Sequence, residues 1–315
     1  MNRRQPPKST HSNGTRFFNP SGRNGLSFPS VPRMLVTPRR RWPARVRVDP
    51  KLPPLLEGAT DVTATFIGHA TFLIQSAQGN VLTDPVFSTY AGPLPFLGPR
   101  RVHEPGVRFE DLPEIAVVLL SHNHYDHCDV HTLRRLAQRF DPLVITPLGN
   151  GELVRSTGIR RIEELDWWMR STHASFPLMM TPAQHFSART PFDRNKALWG
   201  SFAFELAGRR IYFAGDTGYG EHFTSIRARI GRMHLALLPI GAYEPRWFMK
   251  DIHMDPAEAV QASRDLDARQ SVAMHFGTFQ LTPEGIDEPV QALRVALHDQ
   301  TNFQVLAPGD SMHVQ

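Results

Sequence analysis

Residues 115–129 read IAVVLLSHNHYDHCD, an apolar run that leads directly into a cluster of titratable side chains. The apolar part, 115–120, has the length of a buried strand and is far too short to cross a membrane. The cluster behind it holds three histidines and two aspartates in nine residues. Such a density of titratable groups at one strand end requires a chemical explanation.

The histidine cluster has a spacing that suits a metal-binding loop, His122-x-His124-x-Asp126-His127. The first two histidines can serve one cation, and the Asp-His pair can serve an adjacent one. Neutral imidazole and carboxylate ligands favour Zn²⁺, with Fe or Mn as alternatives. Because four such side chains are electrostatically unfavourable together without a cation, we predict metal binding here.

Two adjacent metal sites need further ligands, and three other predicted strands end in suitable residues, His185, Asp216 and His275. Each of these residues has an ordinary explanation when it is taken singly. A lone histidine at a strand end is usually structural, and an aspartate before Thr-Gly commonly makes a turn. Only together with the local cluster do the three residues indicate a site for two metals.

The remainder of the chain alternates short strands with helices, which predicts a mixed α/β layered domain. Asp129 is placed to cap the first helix. A stretch rich in proline and glycine, 88–110, predicts a long loop of the kind that often serves function. Strands are predicted at 62–74, 80–83, 115–120, 178–181, 211–214, 235–240 and 272–274, and helices at 130–140, 221–230, 256–268 and 286–298.

The positive charge of the chain is concentrated at its N-terminal end. Residues 1–48 hold eleven Lys or Arg and no Asp or Glu, which leaves 24 basic and 30 acidic residues in residues 49–315. We therefore predict a basic, Pro-rich, partly disordered arm (1–48) ahead of one folded domain (49–315). The arm can contact anionic lipid or nucleic acid, or it can be a solvated tail.

Cysteine and hydropathy patterns bear on the compartment. Cys128 is the single cysteine, which excludes an intramolecular disulfide and fits a reducing compartment. The longest apolar run of the arm is too short for the apolar region of a secretory signal. We therefore expect a cytoplasmic protein without a secretory signal, one that can associate peripherally with a membrane.

Several motifs resemble those of a known family. The metal motifs are similar to those of the metallo-β-lactamase fold: HNHYDH (122–127), PAQH (182–185), AGDTGY (214–219) and AMHFGTF (273–279). Further stretches resemble, more narrowly, the N-acylphosphatidylethanolamine-hydrolysing phospholipases D: ELDWW (164–168), NKALWGS (195–201) and PIGAYEPRWFM (239–249).

The resemblance implies an αββα sandwich, in which two mixed β-sheets are flanked by helices, and two Zn²⁺ per chain. The implied ligands are His122, His124 and His185 for one metal and Asp126, His127 and His275 for the other, with Asp216 bridging. The chain has the matching residue at all seven positions. The implied reaction hydrolyses N-acylphosphatidylethanolamine to N-acylethanolamine and phosphatidic acid.

Two cations about 3.5–4 Å apart can activate a bridging hydroxide, which Asp126 can help to orient. We expect His253 to give a proton to the leaving alkoxide, with the helix start behind it keeping the imidazole neutral. A surface or capping histidine is the alternative. His69 and Asp84 are expected to orient ligand imidazoles, unless they only stabilise turns. Residues expected to border the substrate cleft are Tyr243, Glu244, Arg246 and Trp247.

A lipid substrate requires an apolar, membrane-facing surface, and the arm and the 88–99 loop supply candidate residues. These are Phe17, Phe18, Leu26, Phe28, Met34, Leu35 and Val36 in the arm and Tyr90, Leu94, Pro95, Phe96 and Leu97 in the loop. Arginines at 39–41, 100 and 101 are expected to contact anionic headgroups. Deleting residues 1–48 should then spare catalysis on a soluble substrate.

Two alternative functions remain open at this stage. One is a hydrolase with the same metals that acts on another phosphodiester or a lactone. The other is a membrane- or nucleic-acid-binding protein driven by the arm, against which the complete set of seven ligands counts. We expect a phospholipid substrate, an anionic membrane surface as the partner of the arm and no nucleic acid, and we leave a homodimer open.

Overall fold

Two mixed β-sheets form the centre of the molecule. The computed structural model describes residues 10–23, 33, 36–94, 96–298 and 300–315. The strands are β1 (Val62–Gly68), β2 (Thr71–Ser76), β3 (Val81–Thr83), β4 (Val117–Leu119), β5 (Leu143–Pro147), β6 (Ile162–Leu165), β7 (Leu178–Thr181), β8 (Ser201–Leu206), β9 (Arg209–Phe213), β10 (Leu235–Pro239), β11 (Gln270–Met274), β12 (Phe303–Gln304) and β13 (Ser311–His313). The first sheet has the order β13-β1-β2-β3-β4-β5-β6, and the second has the order β12-β11-β10-β9-β8-β7.

Helices cover the outer faces of the two sheets. They are α1 (Val130–Arg139), α2 (Gly151–Arg155), α3 (His222–Ile230), α4 (Arg246–Met249), α5 (Pro256–Asp265) and α6 (Glu288–Leu297), with a short 3₁₀ helix at Phe109–Asp111. Among the residues that the structure describes, no helix is long and apolar enough to cross a membrane. The layers confirm the predicted αββα sandwich.

The strands of the first sheet bury side chains on both faces. The apolar core therefore has one layer between the two sheets and another between the first sheet and the helices that cover it. Phe66 of β1 and Phe213 of β9 belong to one apolar cluster between the sheets. Leu133 and Leu136 of α1 belong to a second cluster on the other face of the first sheet, which also contains Cys128. Each fully buried large side chain contributes about 1.5–3 kcal/mol to folding, so both layers stabilise the rim that carries the polar residues.

The strand directions bring the polar strand ends to one edge. Strands β3 and β4 run parallel in the first sheet, and β9, β10 and β11 run parallel in the second. Parallel strands place their carboxyl ends at the same edge, where ligands commonly bind in α/β folds. Asp129 caps α1 as predicted, accepting hydrogen bonds from the backbone of His131 at 3.0 Å and the hydroxyl of Thr132 at 2.6 Å.

The described part of the arm packs on the domain. Phe17 is 3% exposed and lies in the inter-sheet cluster, so our expectation that it faces a membrane is wrong. His11 also contacts the domain, because its Nε2 lies 2.7 Å from Asp166 and its ring stacks 4.4 Å from Trp167. Val36 is exposed, as are Leu94, Phe96 and Leu97. The expectations for Leu26, Phe28, Met34, Leu35 and Pro95 lie outside the described residues.

Candidate metal centre

The predicted ligands meet at the edge formed by the strand ends. They are His122, His124, Asp126 and His127 from the loop after β4, His185 after β7, Asp216 after β9 and His275 after β11. Local sequence explains how closely the two sheets approach here. Gly215 has φ +58°, and a Cβ at this position would lie 2.5 Å from the Cβ of Ser121. The glycine therefore lets Asp216 reach the loop after β4.

One group of ligand atoms comes from three histidines and one oxygen of Asp216. Nε2 of His122 lies 2.8 Å from Nδ1 of His124, and Nε2 of His185 lies 3.3 Å from the same atom. Asp216 Oδ2 lies 3.8 Å from His122 Nε2 and 3.7 Å from His185 Nε2. These four residues could hold a metal ion, and their grouping is the one predicted for the first metal.

A second group lies beside the first and shares Asp216 with it. His127 Nε2 lies 3.1 Å from Asp216 Oδ2 and 3.5 Å from Asp126 Oδ2. His275 Nε2 lies 3.2 Å from Asp216 Oδ1 and 3.4 Å from Asp126 Oδ2. The carboxylate of Asp216 thus stands between both groups, in the bridging position that the resemblance implies.

Asp84 fixes which ring nitrogens of two histidines carry protons. Its Oδ2 accepts hydrogen bonds from His127 Nδ1 at 2.6 Å and from the hydroxyl of Ser121 at 2.5 Å. Since the Ser121 hydroxyl gives its proton to Asp84, it can only accept from His122 Nδ1, 2.9 Å away. Both imidazoles therefore turn an Nε2 lone pair towards the site. Asp84 thus contacts the imidazole of His127, a predicted ligand that it is expected to orient.

His185 is oriented in the same way by the backbone. Its Nδ1 donates to the carbonyl oxygen of Ile252 at 2.9 Å, which leaves the Nε2 lone pair for the site. Outer contacts of this kind set the tautomer and direction of metal-binding histidines in proteins. Three imidazoles thus present lone pairs to the same small volume.

The unsatisfied atoms in this volume fit a cation. His127 Nε2, His275 Nε2 and Asp216 Oδ1 are buried, and no described residue is a hydrogen-bond partner of these three atoms. A lone pair on His127 that faces a carboxylate oxygen 3.1 Å away is repulsive unless a positive charge, a proton or a metal ion, lies between them. Imidazole nitrogens and carboxylate oxygens suit zinc, iron or manganese.

The pKa values show how strongly the site attracts positive charge. Burial lowers the pKa of His275, but Asp216 and Asp126 outweigh burial and raise it to about 9. Burial also opposes protonation of His127, and the surrounding carboxylates nevertheless hold its pKa well above the usual range. Burial holds the pKa of His122 well below 6.5, with the neighbouring His127 and His124 acting in the same direction. A proton is thus the natural competitor of a metal here.

His69 contacts the second group from behind. Its Nε2 lies 3.0 Å from Asp126 Oδ2, and its backbone carbonyl accepts a hydrogen bond from the backbone N–H of His275 at 2.8 Å. Burial lowers the pKa of His69 to about 3, so the ring is neutral and donates to the carboxylate. His69 therefore hydrogen-bonds to a predicted carboxylate ligand, and its ring also lies 4.1 Å from the ring of His275, a predicted ligand imidazole.

His253, the predicted proton donor, lies inside the site. Its Nε2 is 3.8 Å from Asp216 Oδ2, and the side chain is buried. Helix α5 begins behind it with the predicted capping residues Asp255 and Glu258. Burial is the largest cause that holds the pKa of His253 well below its usual range, so desolvation dominates where we expected the helix end to act. His253 also belongs to a possible ligand group with Asp216 and His275.

The four predicted cleft residues follow β10 but differ in their surroundings. Arg246 donates from Nη2 to Glu258 at 2.7 Å and from Nη1 to the backbone carbonyl of His253 at 2.9 Å. Its guanidinium therefore supports the helix cap and His253. Trp247 is 47% exposed. Tyr243 and Glu244 are partly buried, and substrate contact stays a prediction for all four residues.

Sequence reasoning missed residues that touch the ligands from outside. Besides Ser121, the hydroxyl of Thr217 accepts a hydrogen bond from the backbone of Gln184 at 2.9 Å. This bond joins Thr217, which follows Asp216, to Gln184, which precedes His185. Ser121 and Thr217 each stand directly next to a predicted ligand in the chain, so their positions could have indicated them.

Comparisons with known proteins agree with this geometry. Residues 79–276 match the Beta-lactamase superfamily domain. N-acyl-phosphatidylethanolamine-hydrolyzing phospholipase D 1 of Caenorhabditis elegans is 37% identical over 244 residues, which are 73% of this chain and 68% of the relative. An uncharacterized protein of Mycobacterium tuberculosis is 42% identical over 257 residues, 80% of this chain and 68% of that protein.

A further relative and a solved structure are also similar to this chain. The mitochondrial N-acyl-phosphatidylethanolamine-hydrolyzing phospholipase D of Saccharomyces cerevisiae is 37% identical over 222 residues, 68% of this chain and 47% of the yeast protein. A possible metal-dependent hydrolase of Veillonella parvula has a TM-score of 0.65 at 18% identity, covering 81% of this chain and 99% of that one. The chain belongs to the metallo-β-lactamase-fold hydrolases, in a group whose relatives include N-acyl-phosphatidylethanolamine-hydrolysing phospholipases D.

Proposed function

We propose that the protein is a zinc-dependent phosphodiesterase of the phospholipase D type. It hydrolyses N-acylphosphatidylethanolamine to N-acylethanolamine and phosphatidic acid. The observation that carries the proposal is the position of Asp216 between two groups of ligand atoms. Its Oδ2 lies 3.7 Å from His185 Nε2 of the first group, and its Oδ1 lies 3.2 Å from His275 Nε2 of the second. The substrate class comes from the names of the worm and yeast relatives.

The residues of the site have different roles in the proposed reaction. Two bound metal ions would supply a nucleophile at neutral pH and neutralise charge on the phosphate. His122, His127 and His185 keep their lone pairs inward because Asp84, Ser121 and Ile252 fix the opposite nitrogens. Asp126 orients the attacking water. The neutral His253 donates a hydrogen bond to the departing ethanolamine oxygen and acts as a proton relay, in which one ring nitrogen releases a proton to that oxygen as the other ring nitrogen takes one up.

The test is lipid mass spectrometry on zinc-loaded protein that has been mixed with several phospholipids. We expect N-acylethanolamine and phosphatidic acid to appear together. In H₂¹⁸O the label should enter phosphatidic acid, because the bond between phosphorus and the ethanolamine oxygen breaks. Label in a released fatty acid, or turnover of a lactone alone, would contradict a phosphodiesterase.

The substrate also requires contact with a membrane surface, and we propose that exposed apolar residues and the basic arm provide it. Leu94, Phe96 and Leu97 are 48%, 73% and 52% exposed. Arg40 pairs with Glu288 at 3.1 Å, but its side chain is 75% exposed. Exposed pairs contribute only about 0–1 kcal/mol, so this pair leaves the guanidinium available to anionic headgroups.

The arm is tested by replacing the arginines at 39–41 with glutamine. Binding to vesicles that contain anionic phospholipid should fall, because each basic residue near such a surface adds about 1 kcal/mol. Turnover of a detergent-dispersed substrate should stay close to the parent value. Sedimentation of the variant with vesicles at low salt decides the matter, since unchanged binding would rule out recruitment by these residues. Localisation at the cytoplasmic face of a membrane remains part of this proposal.

A further inference from the structure

Arg189 holds the loop that carries four of the predicted ligands. Its Nη1 donates to the carbonyl oxygen of Asn123 at 2.8 Å and to that of Cys128 at 2.9 Å. These two carbonyls bracket the segment that contains His124, Asp126 and His127. One guanidinium nitrogen thus ties together the start and the end of the ligand loop.

Tyr125, in the middle of the same loop, contacts Arg189 through its ring and through its hydroxyl. The guanidinium carbon of Arg189 lies 4.0 Å from the centre of the Tyr125 ring. The hydroxyl of Tyr125 donates to the backbone carbonyl of Arg189 at 2.7 Å. Arg189 therefore contacts the ligand loop through its side chain and through its backbone. The cation–π contact between its guanidinium and the Tyr125 ring adds to the attraction between the two loops.

Arg189 belongs to a different loop, the one that follows β7 and carries His185. Its own position is fixed by Asp193, whose Oδ1 accepts hydrogen bonds from the backbone N–H groups of Arg189 at 3.0 Å and Thr190 at 2.8 Å. The contact therefore links two loops. The first ligand group takes His122 and His124 from one of them and His185 from the other.

We propose that Arg189 and Tyr125 form a positioning pair, which sets the distance between His185 and the ligand loop and so determines the affinity of the first metal site. The inference rests on the proposed metal centre. The second group also takes Asp126 and His127 from the ligand loop, but its histidine His275 lies at the end of β11, so the contact between the two loops does not set the distance from His275 to its partners.

Variants separate this role from ordinary packing. Arg189→Met keeps the apolar stem but removes all donors, whereas Arg189→Lys keeps a cation that can reach one carbonyl. Tyr125→Phe removes only the hydroxyl. Arg135→Met is the matched control, since Arg135 also lies over an aromatic ring, Phe109 at 3.7 Å, and donates its hydrogen bond to Glu110 at 2.6 Å.

The measurement is a zinc titration of each full-length variant against a competing chelator. Mutations in residues that orient metal ligands typically cost about 10–100-fold in metal affinity. We expect Arg189→Met to lose affinity in this range for one of two zinc equivalents, Arg189→Lys to recover part of the loss, and Arg135→Met to match the parent. The visible spectrum of Co²⁺-loaded Arg189→Met should also change.

Thermal unfolding of the metal-free proteins provides the check on folding. A variant that unfolds at the parent temperature yet binds zinc more weakly supports a positioning role. If Arg189→Met is unfolded, Tyr125→Phe carries the test, with a smaller loss of affinity expected. Unchanged zinc affinity and an unchanged Co²⁺ spectrum in a folded Arg189→Met would overturn the inference. Failure of the parent itself to bind zinc would instead overturn the proposed metal centre.

Discussion

Asp84 is the residue whose replacement most directly tests how the site is organised. As a carboxylate it accepts three hydrogen bonds, from His127 Nδ1 at 2.6 Å and from the hydroxyl and backbone N–H of Ser121 at 2.5 and 2.7 Å. An amide in the same place has one oxygen only. Asp84→Asn therefore has the right size and the wrong hydrogen-bonding capacity.

The amide has two orientations, and both are unfavourable. If its oxygen keeps the Ser121 N–H, its NH₂ group faces His127, which must move its proton from Nδ1 to Nε2. That proton then points into the site and removes a ligand lone pair. In the other orientation the NH₂ group meets the Ser121 N–H, and two donors face each other.

The magnitude follows from the two imidazoles that depend on Asp84. Loss of one orienting partner costs about 10–100-fold in metal affinity. Because Asp84 fixes His127 directly and His122 through Ser121, we expect a loss near the upper limit, about 100-fold or nearly 3 kcal/mol. The fold should survive, since asparagine tolerates the left-handed backbone that Asp84 adopts at φ +29°.

The assay is chelator competition for zinc, with circular dichroism and thermal unfolding of the metal-free protein alongside. Asp141→Asn is the matched control. Asp141 also has a left-handed backbone, at φ +47°, and pairs with Arg160 at 2.8 Å, away from the site. Zinc affinity of Asp84→Asn within threefold of the control would refute the proposed control of histidine tautomers.

Three further outcomes are expected. Elemental analysis of purified protein should find about two transition-metal ions per chain, as expected for a two-metal hydrolase; one ion or none after zinc addition would contradict the binuclear site. Asp216→Asn should abolish turnover and weaken metal retention without altering the circular dichroism spectrum, whereas activity within a few-fold of the parent would make Asp216 a turn residue. Deleting residues 1–23 should lower zinc retention relative to deleting residues 1–9, because Asn19 donates to the carbonyl of His185 at 2.9 Å; equal retention would exclude this support.

The ligand set could be predicted because most of the ligands lie close together in the sequence and the others lie at predicted strand ends. Four ligands stand within six residues after one apolar run, and the other three follow runs that are themselves strands. Position at a strand end is enough to bring them together, because parallel strands share an edge. The helix start behind His253 was equally visible, since Asp255, Pro256 and Glu258 form a local signal.

The supporting contacts could not be predicted, because they join residues that are distant in the chain. Arg189 donates to backbone carbonyl groups 61 and 66 residues away. Every residue has such a carbonyl, so the sequence does not indicate which ones a side chain contacts. The placement of Phe17 was misjudged for a related reason. The charge of the arm predicted exposure, yet the burial of Phe17 depends on packing against apolar side chains of the folded sheets. Deletion of residues 1–48 should therefore harm the domain, contrary to our expectation from the sequence.

Three side chains at this edge are held on strained backbone. His69, Asp84 and His275 all have positive φ angles, +57°, +29° and +61°. Each such non-glycine residue costs about 1–3 kcal/mol, and the cost persists only where the surroundings enforce it. Positive φ angles also occur away from the site, at Asp141 and Ala207 for example, so the strain itself does not identify a site. Keeping imidazole and carboxylate side chains on strained backbone is explained if their nitrogen and oxygen atoms are needed at the centre that they surround.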